Sequence, residues 1–166
     1  LKQYDIPTNK MDMVIFPHRV APEKQVDIFK DLEKSMPDIE FLVAQEKQLT
    51  KDEYHTALCK SKVVFSANQQ ETLGISCYEG ALVGAAPMVP DRLSYSEMYN
   101  NGYKYPSEWT KDYVAYVENR PQLTAFIQEK LDNFDQYAHQ LEEQRDILIK
   151  NYLNSSVMIS NILKGT

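Results

Sequence analysis

The residues best suited to chemistry are two carboxylates, Glu71 and Glu79, that stand eight positions apart with Gly74 between them. The segment 74–83 is rich in small and apolar residues and predicts a helix, so that Gly74 starts the helix and Glu79 lies inside it. A helix N-terminus presents unpaired N–H groups and a partial positive charge, which together suit phosphate. Gly74 allows the backbone to approach that phosphate closely.

The distance from Gly74 to Glu79 suits a nucleotide. At about 1.5 Å per residue, five residues span about 7 Å along a helix axis. That is roughly the step from a diphosphate to the hydroxyls of its ribose, and a carboxylate can accept hydrogen bonds from two vicinal hydroxyls. The alternative is a solvated Glu71 and a Glu79 on an exposed helix face, because a chain with 24 acidic residues contains such spacings by chance.

Two cations, Arg19 and Lys24, follow the first predicted strand and could bind the same phosphate. Ligands of open parallel sheets bind beyond the carboxyl ends of the strands, which is where both cations fall. The alternative is a pair of solvated loop cations. His18 either meets the ligand or makes a structural hydrogen bond. Arg92 and Tyr95 either line the cleft or shape a turn.

Strand and helix patterns alternate through the first hundred residues. Short apolar runs predict strands at 13–16, 39–44, 62–65, 86–89 and 103–105. Apolar residues at helical spacing predict helices at 22–36, 50–60 and 74–83, followed by a long amphipathic helix over 134–152 that covers the sheet. Thr50 and Glu53 form a capping box. The predicted fold class is α/β, a Rossmann-like doubly wound parallel sheet of four to five strands with C-terminal helices.

The composition indicates one globular domain. The chain has 166 residues, of which 43% are hydrophobic and 25% charged, enough for one core but short for two. We expect a linker-like segment at 1–11, an α/β core at 12–106 and a helical part at 107–166.

Charge and cysteine content argue against several function classes. A net charge of −6 does not attract nucleic acid. The two cysteines, Cys59 and Cys77, are too few and too far apart for a zinc site. Free thiols without a signal peptide predict a cytoplasmic protein. No apolar run approaches the roughly 20 residues of a membrane-spanning helix.

The segment from Glu71 to Glu79 resembles the Glu-x7-Glu signature of family-4 retaining glycosyltransferases, in its Glu-x-Leu-Gly-x4-Glu form. Arg19 and Lys24 match the basic pair that these enzymes carry after the first strand of their C-terminal domain. The resemblance covers about residues 13–105. It looks closest to the tRNA-queuosine mannosyltransferase-like branch, through residues 16–19 and 90–99.

The resemblance implies the C-terminal, donor-binding half of a two-domain GT-B fold, with the N-terminal acceptor-binding domain absent from this chain. It implies that Arg19 and Lys24 bind the diphosphate and stabilise the leaving group, and that Glu71 holds a hydroxyl of the donor sugar. Retention follows from attack on the face that the diphosphate leaves, without a protein nucleophile. No metal or other cofactor is implied, and the substrate is a UDP- or GDP-hexose.

The remaining implied residues bind the donor. Backbone N–H groups near Leu73, Gly74 and Ile75 cradle phosphate, Glu79 grips the ribose and His18 adjoins the donor. One departure from the family leaves the nucleobase open: family members usually carry a further strand–helix unit before the helix that precedes the signature, whereas here strand 39–44 leads almost directly into helix 50–60.

The sequence leaves two alternative functions open. A non-catalytic Rossmann-like or flavodoxin-like module that binds a phosphate ligand or a protein would share the sheet and the helix start. Within the enzyme class, the acceptor could be a nucleic acid, either tRNA or phage DNA, held by the absent domain. Convergence of Arg19, Lys24, Glu71 and Glu79 on one cleft would distinguish the enzyme from the module.

Overall fold

The computed structural model describes residues 9–71 and 74–153, which form one sheet flanked by helices. Strands β1 to β5 are Met11–Phe16, Glu40–Val43, Ser61–Phe65, Ala86–Pro90 and Lys104–Tyr105. Helices α1 to α6 are Val26–Ser35, Lys51–Lys60, Ile75–Leu82, Tyr95–Met98, Tyr113–Asp132 and Ala138–Leu148. Short 3-10 helices occupy Pro22–Lys24, Gln45–Lys47, Asn101–Tyr103, Ser107–Thr110 and Phe134–Tyr137, and a π-helical turn spans Ile149–Leu153.

The sheet is parallel throughout, with the strand order β2-β1-β3-β4-β5. This confirms the predicted α/β, Rossmann-like fold class. The order reverses at β1, because the chain adds β2 on one side of β1 and β3 on the other. The loops that follow β1 and β3 therefore diverge and leave a crevice between them, the place where doubly wound sheets bind ligands.

The helices cover both faces of the sheet. Neighbouring side chains on a strand point to opposite faces of the sheet. In β3, Val64 points to the face covered by α3, and Phe65 points to the face covered by α1. A Cβ atom placed on Gly80 of α3 would lie 2.9 Å from Val64 Cβ, so only glycine lets α3 approach the sheet this closely. On the other face the rings of Phe65 and Phe29 of α1 pack with their centroids 5.8 Å apart.

The predicted helix 22–36 is divided in the structure. A 3-10 turn covers Pro22–Lys24, and Gln25 then adopts a left-handed conformation with φ 53° before α1 begins at Val26. The side chain of Gln25 is buried and donates to the carbonyl oxygens of Ala67 and Thr110, each at 2.7 Å. These tertiary hydrogen bonds compensate for the interrupted helix, and they involve residues too distant in the chain for a periodic pattern to reveal.

The C-terminal helical part also differs from its prediction. The predicted helix 134–152 is a 3-10 turn, α6 and a π-helical turn, and α6 packs against α3. The break before it is stabilised by Lys130, whose ammonium lies 4.1 Å from the ring centroid of Tyr137 and 5.1 Å from that of Phe126. Leu141 and Leu148 of the predicted stripe are buried. Among the described helices, none has the length and apolarity to cross a membrane.

Candidate functional site

The crevice between the loops after β1 and β3 forms an open cleft of about 320 Å³. The residues that line it are His18, Arg19, Lys24, Glu71, Gly74, Ile75 and Ser76. All the residues predicted for the site lie here except Leu73, which falls outside the described residues, and Glu79, which lines a different pocket. The structure thus brings together chain segments about fifty residues apart.

Lys24 and Glu71, which both line the cleft, form an ion pair with 2.8 Å between Lys24 Nζ and Glu71 Oε2. The two side chains are only 10% and 18% exposed, so solvent screens their attraction weakly. Lys24 Nζ also lies 3.4 Å from the carbonyl oxygen of Gln70. The Lys24 ammonium is therefore held in place before any ligand arrives.

A buried amide supports the same carboxylate. Asn68 is fully buried in the loop after β3, and its Nδ2 donates to Glu71 Oε2 at 3.0 Å and to the Tyr95 hydroxyl at 3.1 Å. The Tyr95 hydroxyl also accepts from Ser66 Oγ at 3.1 Å. Sequence reasoning missed Asn68, because a single polar residue after a strand carries no signal of what it will contact.

His18 lies beneath the cleft as a buried, neutral side chain. Its Nε2 is 3.2 Å from the carbonyl oxygen of Phe65, which can only accept, so Nε2 carries the proton. Nδ1 is then the acceptor that faces Asn68 Nδ2 at 3.5 Å. Burial, helped by the nearby Lys24 ammonium, lowers the pKa of His18 to about 4. The structure therefore gives His18 the structural hydrogen bond that was one of its two predicted roles, at a position bordering the cleft.

We expect His18 to make the stability of this chain depend on pH. Its folded pKa of about 4 lies below the ordinary value of 6.5, so the unfolded chain binds the extra proton and stability falls as pH drops from about 6.5 towards 4. At about 1.4 kcal/mol per pKa unit, the His18 contribution to this loss is about 3 kcal/mol by pH 4. Urea unfolding of the wild type and of His18→Gln across pH 4–7 measures it.

The matched control for the His18 experiment is His139→Gln, because the His139 side chain is 83% exposed. Carboxyl groups also titrate in this range, so the informative quantity is the difference in slope between each variant and the wild type. His18→Gln should flatten the pH dependence, and His139→Gln should leave it unchanged. Equal slopes in the wild type and His18→Gln would show that His18 is protonated without penalty in the folded chain.

Arg19 stands at the rim of the cleft and pairs with Glu23, with 2.7 Å between Nη2 and Oε1. The Arg19 side chain is 70% exposed, and a pair at such exposure contributes at most about 1 kcal/mol. Arg19 can therefore leave Glu23 for an anionic ligand at little cost. The loop that carries it is tied down by Gln45, whose side chain accepts a hydrogen bond from the Val20 N–H.

Gly74 begins α3 in a left-handed conformation with φ 67°. A Cβ atom at this position would lie 2.6 Å from Tyr95 Cε1, so Tyr95 occupies the space that any other side chain would need. The backbone at Gly74, which has no side chain, therefore borders the cleft at the first turn of α3. This is the geometry that a phosphate-binding helix N-terminus needs. The neighbouring Ile75 is 56% exposed at the cleft rim.

Glu79 lies on the next turn of α3, facing α2. It lines a second pocket with His55, Leu58, Leu82 and Val83. Burial raises the pKa of Glu79, while the nearby His55 and Lys51 act in the opposite direction. The four predicted side chains thus do not share one cleft in this structure: Arg19, Lys24 and Glu71 converge, and Glu79 stands further along the same helix.

Arg92 stabilises the loops around the cleft by hydrogen bonds to their carbonyl oxygens. Its guanidinium donates to the carbonyl oxygens of Ala67 at 2.9 Å, Asn68 at 2.8 Å and Ser107 at 2.9 Å. Tyr95, the other residue whose role was open, lies under Gly74 and is fully buried. Of the two alternatives for these residues, shaping the loops is the one that the geometry supports.

The fold has solved relatives. No family model matches the chain, and no curated protein matches it significantly. A crystal structure of TarM matches with a TM-score of 0.66 and 16% sequence identity, over 98% of this chain and 37% of TarM. A mutant of TarM from S. aureus, in complex with fondaparinux, alpha-GlcNAc-glycerol and UDP, matches with a TM-score of 0.65, 16% identity and the same coverage.

A further structure matches more weakly. The catalytic domain of cholesterol-alpha-glucosyltransferase from Helicobacter pylori aligns with a TM-score of 0.47 and 15% identity, over 75% of this chain and 98% of that one; this weaker alignment supports no conclusion. The TarM alignments show that the chain has the fold of a part of TarM. The chain spans little more than a third of TarM's length.

Proposed function

We propose that this chain is the nucleotide-sugar-binding domain of a retaining, metal-independent glycosyltransferase that transfers a hexose to an acceptor bound mainly by an N-terminal domain. The observation that carries the proposal is the meeting of Lys24 and Glu71 beside the N-terminus of α3. The two residues follow different strands and come together at the point where the strand order reverses. Nucleotides bind to doubly wound sheets at this point.

In this proposal the diphosphate lies between Lys24 and the first turn of α3. The fixed Lys24 ammonium supplies one positive charge, and the helix start supplies N–H groups and a partial charge. Arg19, the exposed member of its pair with Glu23, exchanges that partner for the phosphate. These charges stabilise the negative charge that grows on the departing diphosphate, which is the stabilisation that accelerates transfer.

Glu71, next to Lys24, holds the sugar of the donor. Its carboxylate is anchored by Lys24 and Asn68, so its orientation is set before the sugar binds, and a hydroxyl can donate to it without reorganisation. The bond between the anomeric carbon and the diphosphate oxygen breaks, and the acceptor oxygen bonds to the same face of that carbon. The acceptor proton passes to the departing phosphate oxygen.

The ribose lies along α3 towards Glu79. Five residues separate Gly74 from Glu79, about 7 Å at the helical rise, and the side chains of Ile75 and Ser76 lie on the way. The pocket of Glu79 is bordered by apolar side chains and His55, so it offers a carboxylate for the ribose hydroxyls in surroundings of low polarity. The UDP in the TarM complex that shares this fold is in keeping with this proposal.

We expect this chain to bind a nucleoside diphosphate without divalent metal. Half of a two-domain cleft should bind weakly, with a Kd of about 0.1–1 mM. Calorimetry with UDP, GDP and ADP, each with and without EDTA, measures the affinity and identifies the base. Binding that strictly requires Mg²⁺, or none at millimolar concentrations, would contradict the proposal.

Two observations favour a second candidate, a non-catalytic module that binds a phosphate ligand. Glu79 lines a different pocket from the cleft of Arg19, Lys24 and Glu71, so the four side chains do not converge. The five-strand order β2-β1-β3-β4-β5 is also the flavodoxin-like order. Such a module would use the helix start and Lys24, but it would have no use for a carboxylate anchored to face a sugar. If nucleotide sugars and nucleoside diphosphates bind with equal affinity, this second candidate is preferred.

We expect the acceptor to be bound mainly by the N-terminal domain. The net charge of −6 makes this domain a poor surface for nucleic acid, so a tRNA or DNA acceptor would have to be bound by the other domain. Assays of the whole protein with a panel of nucleotide sugars, with and without nucleic acid, distinguish these acceptors. This chain alone should transfer no sugar, because closure of two domains orients the acceptor and excludes water.

A further inference from the structure

We infer that Asn68 is the residue that positions Glu71 for the donor sugar, an inference that rests on the proposed function of the cleft. Asn68 is fully buried, and its side chain lies between His18, Glu71 and Tyr95. It extends from the loop after β3 towards the cleft. It thereby connects the carboxylate at the cleft surface to two buried groups beneath it.

The orientation of the Asn68 amide follows from its neighbours. Glu71 Oε2, 3.0 Å away, is a carboxylate oxygen that can only accept, and His18 Nδ1 is an acceptor because Nε2 bears the proton. Nδ2 must therefore face both of them. The reversed amide would place its oxygen against the Glu71 carboxylate. Glu71 in turn fixes the orientation of Asn68, so the two side chains restrain each other.

Lys24 and Asn68 act on Glu71 in different ways. An ammonium is a compact charge with rotatable donors, whereas the Asn68 amide is planar and its Nδ2 also donates to the Tyr95 hydroxyl. The Asn68 backbone is also anchored: its N–H donates to Ser66 Oγ at 3.2 Å, and its carbonyl oxygen accepts from Arg92 Nε at 2.8 Å. The ionic contact from Lys24 and the directional contact from Asn68 both reach Glu71 Oε2 and hold that oxygen in place.

A positioning role differs from a structural one in what it changes. If Asn68 orients Glu71, its loss should affect the sugar and spare the diphosphate, which binds to Lys24 and α3. If Asn68 only supports the loop, its loss should weaken both together. Gln25 provides the structural comparison, because its buried amide ties the same loop through the Ala67 carbonyl oxygen.

The test measures, by calorimetry on this chain, the affinity for UDP, UDP-glucose, GDP and GDP-glucose. For the base that binds, the wild type should bind the nucleotide sugar about tenfold more tightly than the diphosphate, the effect of one hydrogen bond to a charged group. Asn68→Ala should reduce this ratio to about twofold or less, with the diphosphate affinity within about twofold of the wild type. Gln25→Asn, which tolerates the left-handed backbone, should lower the thermal midpoint and leave the ratio intact.

A wild-type measurement keeps the inference testable should Asn68→Ala not fold. The NMR signals of the Asn68 side-chain amide should shift on addition of the nucleotide sugar and stay nearly unchanged with the diphosphate. The inference would be overturned if Asn68→Ala kept the wild-type ratio of nucleotide-sugar affinity to diphosphate affinity, or if it lost both affinities in parallel. It would also be overturned if the Asn68 amide signals did not shift on addition of the nucleotide sugar. Absence of any nucleotide binding by the wild type would instead overturn the proposed function, and the inference with it.

Discussion

Replacing Lys24 by methionine is expected to lower the free energy of unfolding of this chain by about 1.5–3 kcal/mol, because the Glu71 carboxylate loses its cation and keeps its hydrogen bond from Asn68. The side chains are 10% and 18% exposed, and their charged atoms are 2.8 Å apart. Methionine matches the length of the lysine stem, so the change removes charge with little loss of packing. Urea unfolding at pH 7 measures the difference.

Two further variants isolate the cause of this destabilisation. The double variant Lys24→Met with Glu71→Leu removes both charges and should recover most of the loss, since replacing a whole buried pair by apolar residues is often nearly neutral. Lys30→Met breaks the pair between Lys30 and Glu46, which are 48% and 44% exposed, and should cost at most about 1 kcal/mol. Equal losses in Lys24→Met and Lys30→Met would mean that the cleft pair is effectively solvated.

The second large expected effect distinguishes the role of Glu71 from that of Glu79. Under the proposed function, Glu71→Gln should lower sugar transfer by the whole protein by about 100-fold, because the carboxylate proposed to bind the reacting sugar is lost. Its effect on the affinity for free nucleoside diphosphate should be slight. Glu79→Gln should instead weaken nucleotide binding by about 1.5–3 kcal/mol, the contribution of hydrogen bonds to a charged group. Steady-state kinetics and calorimetry on the same two variants measure both quantities.

Glu118→Gln is the control for this pair of variants, because Glu118 is an exposed residue of α5. It should change neither transfer nor affinity. Thermal melts establish that all three variants are folded. Should Glu71→Gln abolish nucleotide binding while Glu79→Gln has no effect, the assignment of the sugar and ribose ends of the donor would have to be exchanged.

The sheet was predictable from sequence because its strands are short apolar runs separated by polar loops. All five predicted strands exist, and the capping box of Thr50 and Glu53 at α2 is present as predicted. Helix boundaries were less predictable where tertiary contacts override periodicity. Gln25 interrupts a helical pattern to bind two distant carbonyl oxygens, and Lys130 turns the chain by packing against aromatic rings.

The site was predictable to the extent that charged residues follow strands. The positions of Arg19, Lys24 and Glu71 beyond the carboxyl ends of β1 and β3 were enough to place them at one cleft. The pairing of Lys24 with Glu71, and the position of Asn68 between His18 and Glu71, depend on three-dimensional distances that no spacing encodes. That Glu79 points towards α2 depends likewise on the orientation of α3 about its own axis.

The strand order also constrains how this chain folds. Lys24 and Glu71 are 47 positions apart and come together only when β3 pairs with β1, on the side opposite to β2. Such non-local pairing is slow, because the intervening loop must close before any contact compensates for the lost entropy. The cleft therefore forms only when the centre of the sheet has formed. Occupancy of the cleft consequently reports on completed folding, and a ligand that binds there raises the stability of the whole domain.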